Sequence, residues 1–124
     1  MKPIISIKKN FSNQEVRYLH LNLKKKWFDM ILSGKKTEEY REIKDYWITR
    51  LFVNHREYFE LQKSKKIMKE TLHTHIIFSN GYSLNRPQFV IELKGIEINT
   101  GVEKWGAKKD VKYFILKLGK PIKQ

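Results

Sequence analysis

Three charged residues, Lys36, Glu39 and Arg41, lie close together after Gly34, and their side chains can bind an anion or the edge of a nucleobase. Lys36 and Arg41 offer cationic hydrogen-bond donors to a phosphate or a base carbonyl, and Glu39 can orient Arg41 or accept from a base amine. The alternative is an exposed strand whose charges pair with one another and contribute little to stability. The spacing by itself is compatible with both.

A short helix followed by a strand is predicted to position these residues. Apolar residues recur at i, i+4, i+7 and i+8 on one helix face, at Leu23, Trp27, Met30 and Ile31. Gly34 comes directly afterwards and can adopt the left-handed conformation that ends a helix. From Thr37 to Arg41 a period of two predicts a strand with Thr37, Glu39 and Arg41 on one side. We therefore expect the acid and the bases to meet just past a helix end, in a pocket that solvent can reach.

The same residues resemble a known family. Gly34-x-Lys36-x-x-Glu39-x-Arg41 is similar, position for position, to the G-x-K-x-x-E-x-R motif of ASCH domains, a branch of the PUA-like β-barrels. Residues 21–34 resemble the strand and helix that lead into that motif, and residues 78–82, 105–107 and 114–119 resemble later segments. The resemblance extends from Tyr18 to Gly119. It implies a small barrel with a cleft lined by the motif, and RNA as the ligand.

The family resemblance also implies an enzymatic alternative. Some bacterial ASCH proteins are amidohydrolases that deacetylate N(4)-acetylcytidine with a Lys, a Thr nucleophile three residues later and a distant Glu. Lys36 matches that Lys, but Glu39 stands where the Thr would be, and Thr37 would need a different geometry to replace it. Other members are linked to RNA cleavage, for which Lys36 and Glu39 would be the catalytic residues. A hydrolase acting on RNA or a modified nucleoside is thus the alternative to a binding-only function.

Four further residues are candidates for a nucleic-acid site. Tyr82 and Arg86 lie in a predicted loop after Asn80-Gly81, where they can contact an unpaired base or simply anchor the loop. Trp47 can stack on a base or belong to the core. Glu92 lies among apolar strand residues and would need a partner if it were buried.

No metal site or cofactor is predicted. His73 and His75 share one side of a predicted strand, but no third ligand is nearby in the sequence. The chain contains no Cys, which excludes disulfides, thiolate nucleophiles and thiolate metal sites.

The remaining pattern predicts an α+β domain on a small PUA-like β-barrel of about five or six strands, with two or more short flanking helices. Alternating residues predict strands at 16–23, 73–78, 88–98 and 111–118, and Gly95 is expected to introduce a bulge that lets the sheet curl. A second helix is predicted at residues 45–52 with Asp45 as its N-cap.

A single domain is predicted over residues 1–124, with an N-terminal arm at residues 1–15 and a basic insertion at residues 54–72 that is either a helix or a mobile loop.

The charge balance points to a polyanionic partner. Lys and Arg number 26 against 13 Asp and Glu, which gives a formal net charge of +13. High charge is also a solubility feature, so it does not identify a ligand by itself. Without a membrane-spanning apolar run or a signal peptide, we expect a cytoplasmic protein with no membrane partner. RNA, as single strands or structured loops, is the predicted partner; the sequence specifies neither the base preference nor any protein partner.

Overall fold

The computed structural model describes residues 15–122, so the predicted N-terminal arm lies almost entirely outside the described residues. Within that range the chain forms three α-helices and a five-stranded sheet, which confirms the α+β prediction and the expected numbers of strands and helices. The strands are β1 (Tyr18–Asn22), β2 (Glu38–Arg41), β3 (His75–Ser79), β4 (Gln88–Thr100) and β5 (Lys112–Ile122). The helices are α1 (Lys25–Leu32), α2 (Asp45–Leu51) and α3 (His55–Ser64), and a short 3-10 helix (Glu103–Trp105) precedes β5.

The five strands form one sheet in the order β1-β3-β4-β5-β2, and the sheet curls into a half-barrel. β1 and β3 are parallel, whereas the other neighbouring strands are antiparallel. β2 lies at one edge and pairs only with β5, with Glu38 opposite Lys117 and Arg41 opposite Phe114. The site residues of β2 are therefore held by the first half of β5.

Gly95 lies at an irregularity in β4, as the sequence predicts. The pairing of β4 with β5 shifts in register between Ile91 and Leu93 and again between Leu93 and Gly95. A Cβ at Gly95 would come within 2.7 Å of an Ile67 side-chain carbon and 2.9 Å of the Met68 carbonyl oxygen. Only glycine lets the segment after α3 cross the sheet so closely at this point.

The main core lies between the helices and one face of the sheet. Its buried side chains include Ile31, Leu51, Ile76, Phe78 and Phe114, with Trp27 and Trp47 packed at its margin. A smaller cluster of Ala107, Tyr113, Ile115 and Tyr40 lies on the opposite face of β5. Because β2 contributes alternate residues to these two faces, its charged side chains are also divided between them.

The helix ends follow local sequence signals. α1 is followed by Gly34 with φ of +86°, as expected for a glycine after a helix. α2 begins at Asp45 with Lys44 in the N-cap position, so the predicted cap is displaced by one residue. The Asn54 side chain caps α3 by accepting from the Glu57 N–H at 3.0 Å, so the first part of the 54–72 segment is a helix. Within residues 15–122, none of the helices has the length and apolar character to cross a bilayer.

Candidate functional site

The turn between α1 and β2 directs Lys36 into the protein. Phe28 and Ile31 bury one face of α1 against the core. After Gly34 the chain reverses, and the Lys36 N–H donates to the Met30 carbonyl at 3.0 Å. The Lys36 residue is only 1% exposed. This burial differs from the expectation of a cationic group lying in an open pocket.

Lys36, Glu39 and Arg41 form one hydrogen-bonded group, which we call the motif cluster. The Lys36 ammonium donates to Glu39 Oε1 at 2.7 Å and to the Glu38 carbonyl oxygen. The Arg41 guanidinium donates from Nη2 to Glu39 Oε2, also at 2.7 Å. The side chains of Lys36, Glu39 and Arg41 are 0%, 10% and 18% exposed. One carboxylate therefore bridges two cations at the margin of the core.

Aromatic rings enclose both cations of the motif cluster. The Lys36 Nζ atom lies 5.5 Å from the centre of the Trp27 ring and 5.1 Å from that of Tyr40. The Arg41 Cζ atom lies 5.0 Å from the centre of the Trp47 ring. These distances are in the range of cation–π contacts, which stabilise a positive charge away from water.

The motif cluster has more hydrogen-bond donors and positive charge than its own acceptors can satisfy. Arg41 Nε is buried and has no hydrogen-bond partner among residues 15–122. Burial lowers the pKa of Lys36, although the Glu39 carboxylate opposes that shift. The excess positive charge favours an acceptor or anion at the exposed part of the Arg41 side chain. The arrangement is therefore chemically suited to bind a phosphate, a carboxylate or a base carbonyl.

The geometry of Thr37 bears on the hydrolase alternative. Thr37 is exposed, and its backbone carbonyl accepts from the Leu118 N–H at 3.1 Å. In the described part of the chain, no hydroxyl side chain hydrogen-bonds to Lys36, Glu39 or Arg41. The motif cluster thus contains one carboxylate and two cations, but no hydroxyl group that could act as a nucleophile is hydrogen-bonded to them.

Of the remaining candidates, only Trp47 makes a hydrogen bond, ion pair or ring contact with the motif cluster among residues 15–122. Tyr82 is 87% exposed, and Arg86 donates to the Ser83 carbonyl at 3.0 Å in the loop between β3 and β4. Glu92 is exposed on β4 opposite His75. Trp47 packs partly against the core, which confirms the core interpretation, and it also contacts Arg41. Its stacking on a base stays a prediction.

The two histidines of the 73–75 segment have different surroundings. His75 Nδ1 hydrogen-bonds the Thr74 hydroxyl at 2.8 Å. Burial, with the nearby charges of Arg17 and His20, lowers the pKa of His73 to about 4. Among residues 15–122, no group of three or more His, Asp or Glu side chains is placed to hold a metal ion.

Two of the concavities formed by residues 15–122 have linings that include no residue of the motif cluster. One of about 490 Å³ is lined by Arg17, Lys69, Glu57 and Glu92 among others, so its charges are mixed. The other, of about 390 Å³, begins directly after Arg41 on the chain, and its lining includes Lys44, Lys108, Lys112 and Tyr113. We call the latter the basic concavity. Glu42, also in its lining, pairs with Lys44 at 3.0 Å, which leaves a net positive surface.

Several residues of this region were not singled out from the sequence. The sequence pattern places Trp27 only on the buried helix face and assigns no role to Tyr46, Lys108 or Lys112. The sequence does contain one local signal for a role of Tyr46: it is one of two adjacent aromatic residues, Tyr46 and Trp47, that lie between Arg41 and Arg50.

A comparison of the chain with models of known families, with curated proteins and with solved structures finds no match. The resemblance to ASCH domains therefore stays a hypothesis that depends on the motif residues.

Proposed function

We propose that this protein is an RNA-binding, PUA-like domain of the ASCH type, in which the motif cluster contacts a nucleotide. The observation that carries the proposal is the motif cluster itself, in which two cations share one carboxylate and the Arg41 side chain is still 18% exposed. An acceptor atom of a base or phosphate at the exposed part of the Arg41 side chain would offset the excess positive charge. Glu39 holds Arg41 in place, so the guanidinium is oriented before a ligand arrives.

The charge of the whole chain supports a nucleic acid as the ligand. The net charge of +13 favours association with a polyanion through counterion release. The basic concavity, with Lys44, Lys108 and Lys112, offers phosphate contacts beside the end of β2. Such contacts hold a backbone without reading its sequence. The absence of Cys fits the cytoplasm, where we place this activity.

Binding is the better-supported function, and hydrolysis is not favoured by any observation. Hydrolysis of an acyl or phosphoryl bond by the family's chemistry requires a nucleophile held near the lysine. Glu39 cannot repeat threonine chemistry, and both of its oxygens already accept from Lys36 and Arg41.

Fluorescence anisotropy with a labelled single-stranded RNA tests the proposal. Arg41→Gln should weaken binding by about 1–3 kcal/mol, because it removes the cationic group that contacts the ligand. Arg56→Gln is the matched control, since Arg56 is an exposed arginine on α3 and its loss changes the net charge equally. If both variants bind RNA with the same affinity, the motif cluster is not the binding site.

A further inference from the structure

Arg41 is one end of a row in which two aromatic rings lie between two guanidinium groups, and the row continues onto α2. Its Cζ atom lies 5.0 Å from the centre of the Trp47 ring. The Trp47 ring meets the Tyr46 ring at an interplanar angle of 87°, with centroids 4.9 Å apart. The Arg50 Cζ atom lies 4.3 Å from the centre of the Tyr46 ring. We call Arg41, Trp47, Tyr46 and Arg50 the stacking row.

The stacking row leads from the margin of the core to the surface. Trp47 packs partly against the core, and the Arg41 side chain is 18% exposed. Tyr46 is 52% exposed, and Arg50 is also exposed. Tyr46 and Arg50 are four residues apart on α2, so they are neighbours on one face of that helix. The row therefore connects the motif cluster to solvent through planar groups.

The outer half of the row has the chemistry of a base-stacking surface. A half-exposed aromatic ring can take a base on its face, and stacking of this kind is tolerant of base identity. Among residues 15–122, no carboxylate forms an ion pair with Arg50, so its charge is available to a phosphate. Bases of a duplex already stack on one another and do not reach such a ring, whereas unpaired bases do.

We propose that the stacking row is a subsite for an unpaired base of a single-stranded nucleic acid. The base stacks on the face of the half-exposed Tyr46 ring that Arg50 does not cover, Arg50 contacts the adjoining phosphate, and the next nucleotide reaches Arg41 in the motif cluster. This inference rests on the proposed function and deepens it, because it names the ligand class as single strands and assigns residues outside the motif. It requires no chemistry beyond stacking and ion pairing.

Tyr46→Ala and Phe59→Ala form a matched pair for the test. Phe59 is 51% exposed, close to the value for Tyr46, but its ring contacts are His55 and Tyr58 rather than a guanidinium. The probes are a labelled single-stranded RNA of about ten nucleotides, the same strand annealed to its complement, and a strand of equal length with abasic sites. We expect Tyr46→Ala to weaken single-strand binding about fivefold to hundredfold, and Phe59→Ala to leave it unchanged.

The abasic strand and a conservative variant separate stacking from other effects. The affinity of the wild-type protein for the abasic strand should be as low as the affinity of Tyr46→Ala for the intact strand. Tyr46→Phe should bind the intact strand with wild-type affinity. Duplex binding should be the same in all these variants. If Tyr46→Ala keeps full affinity while Arg41→Gln loses it, the subsite is rejected and the proposed function stands. An equal loss in Phe59→Ala also rejects the subsite, and a wild-type protein that binds none of the probes rejects both proposals.

Discussion

The two faces of β2 carry similar charged groups but differ in how completely these groups are paired. On one face, which we call the closed face, Glu38 accepts from the Tyr40 hydroxyl at 2.7 Å and from Lys117 at 2.5 Å. The Tyr40 hydroxyl in turn accepts from the Val102 N–H at 2.9 Å, and Lys117 also donates to Glu97 at 3.2 Å. Each of these polar side chains has a partner within the protein.

The other face, which holds the motif cluster, is open in the sense that its donors exceed its acceptors. A single carboxylate, Glu39, serves Lys36 and Arg41, and Arg41 Nε has no partner among the described residues. On the closed face two carboxylates, Glu38 and Glu97, serve the single cation of Lys117. The ratio of acceptors to donors thus distinguishes a structural network from a candidate binding site on the same strand.

The largest expected effect comes from removing the carboxylate that the two cations of the motif cluster share. Glu39→Gln should lower the free energy of unfolding by about 3–5 kcal/mol, because it leaves Lys36 and Arg41 buried without a compensating charge. Urea denaturation followed by circular dichroism measures the change. The loss would show that even the open face is held together by its one carboxylate.

Glu42→Gln is the control for this change, since Glu42 is exposed and its ion pair among residues 15–122 is with Lys44 at 3.0 Å. It should change the free energy of unfolding by less than about 1 kcal/mol. Equal stabilities for Glu39→Gln and Glu42→Gln would mean that the motif cluster is solvated like an ordinary surface pair.

A smaller effect is expected on the closed face. Tyr40→Phe removes the hydroxyl that bonds both Glu38 and the Val102 N–H, so the free energy of unfolding should fall by about 1–2 kcal/mol. RNA affinity should stay at the wild-type value, because no unpaired donor is lost there. A loss of affinity comparable to that of Arg41→Gln would remove the distinction between the two faces.

Local signals in the sequence were sufficient for the framework of the motif cluster. Gly34 predicts the helix end because a positive φ is a property of one residue and its neighbours. The period of two places Glu39 and Arg41 on the same side of β2, where they pair at 2.7 Å. Strand positions followed from alternation for the same reason, since they need no knowledge of distant residues.

The burial of Lys36 and the pairing on the closed face could not be predicted in this way. Lys36 is buried because α1 brings Trp27 over it, a contact set by the packing of the helix and not by the motif spacing. Glu38 and Lys117 are 79 residues apart and meet only through the pairing of β2 with β5. A motif gives residue types, whereas tertiary packing decides which of them solvent reaches.

The smallest and most direct contrast between the two faces is in the alkaline pH dependence of stability. Burial lowers the pKa of Lys36 below its ordinary value of 10.5. Burial also acts to lower the pKa of Lys117, but its bonds to Glu38 and Glu97 outweigh this and raise it above 10.5. For Lys36 the unfolded chain binds more protons just below pH 10.5, so its contribution to stability grows as the pH rises there. For Lys117 the folded chain binds more protons above pH 10.5, so its contribution is lost as the pH rises through the folded-state value.

Lys36→Met and Lys117→Met separate these two contributions when each is compared with the wild type by urea denaturation from about pH 7 to pH 11. The stability difference between wild type and Lys36→Met should increase with pH below the ordinary lysine pKa. The difference between wild type and Lys117→Met should stay constant there and shrink at higher pH. Slopes of the same sign in both series would mean that the two lysines experience equivalent surroundings, and β2 would then have no open face.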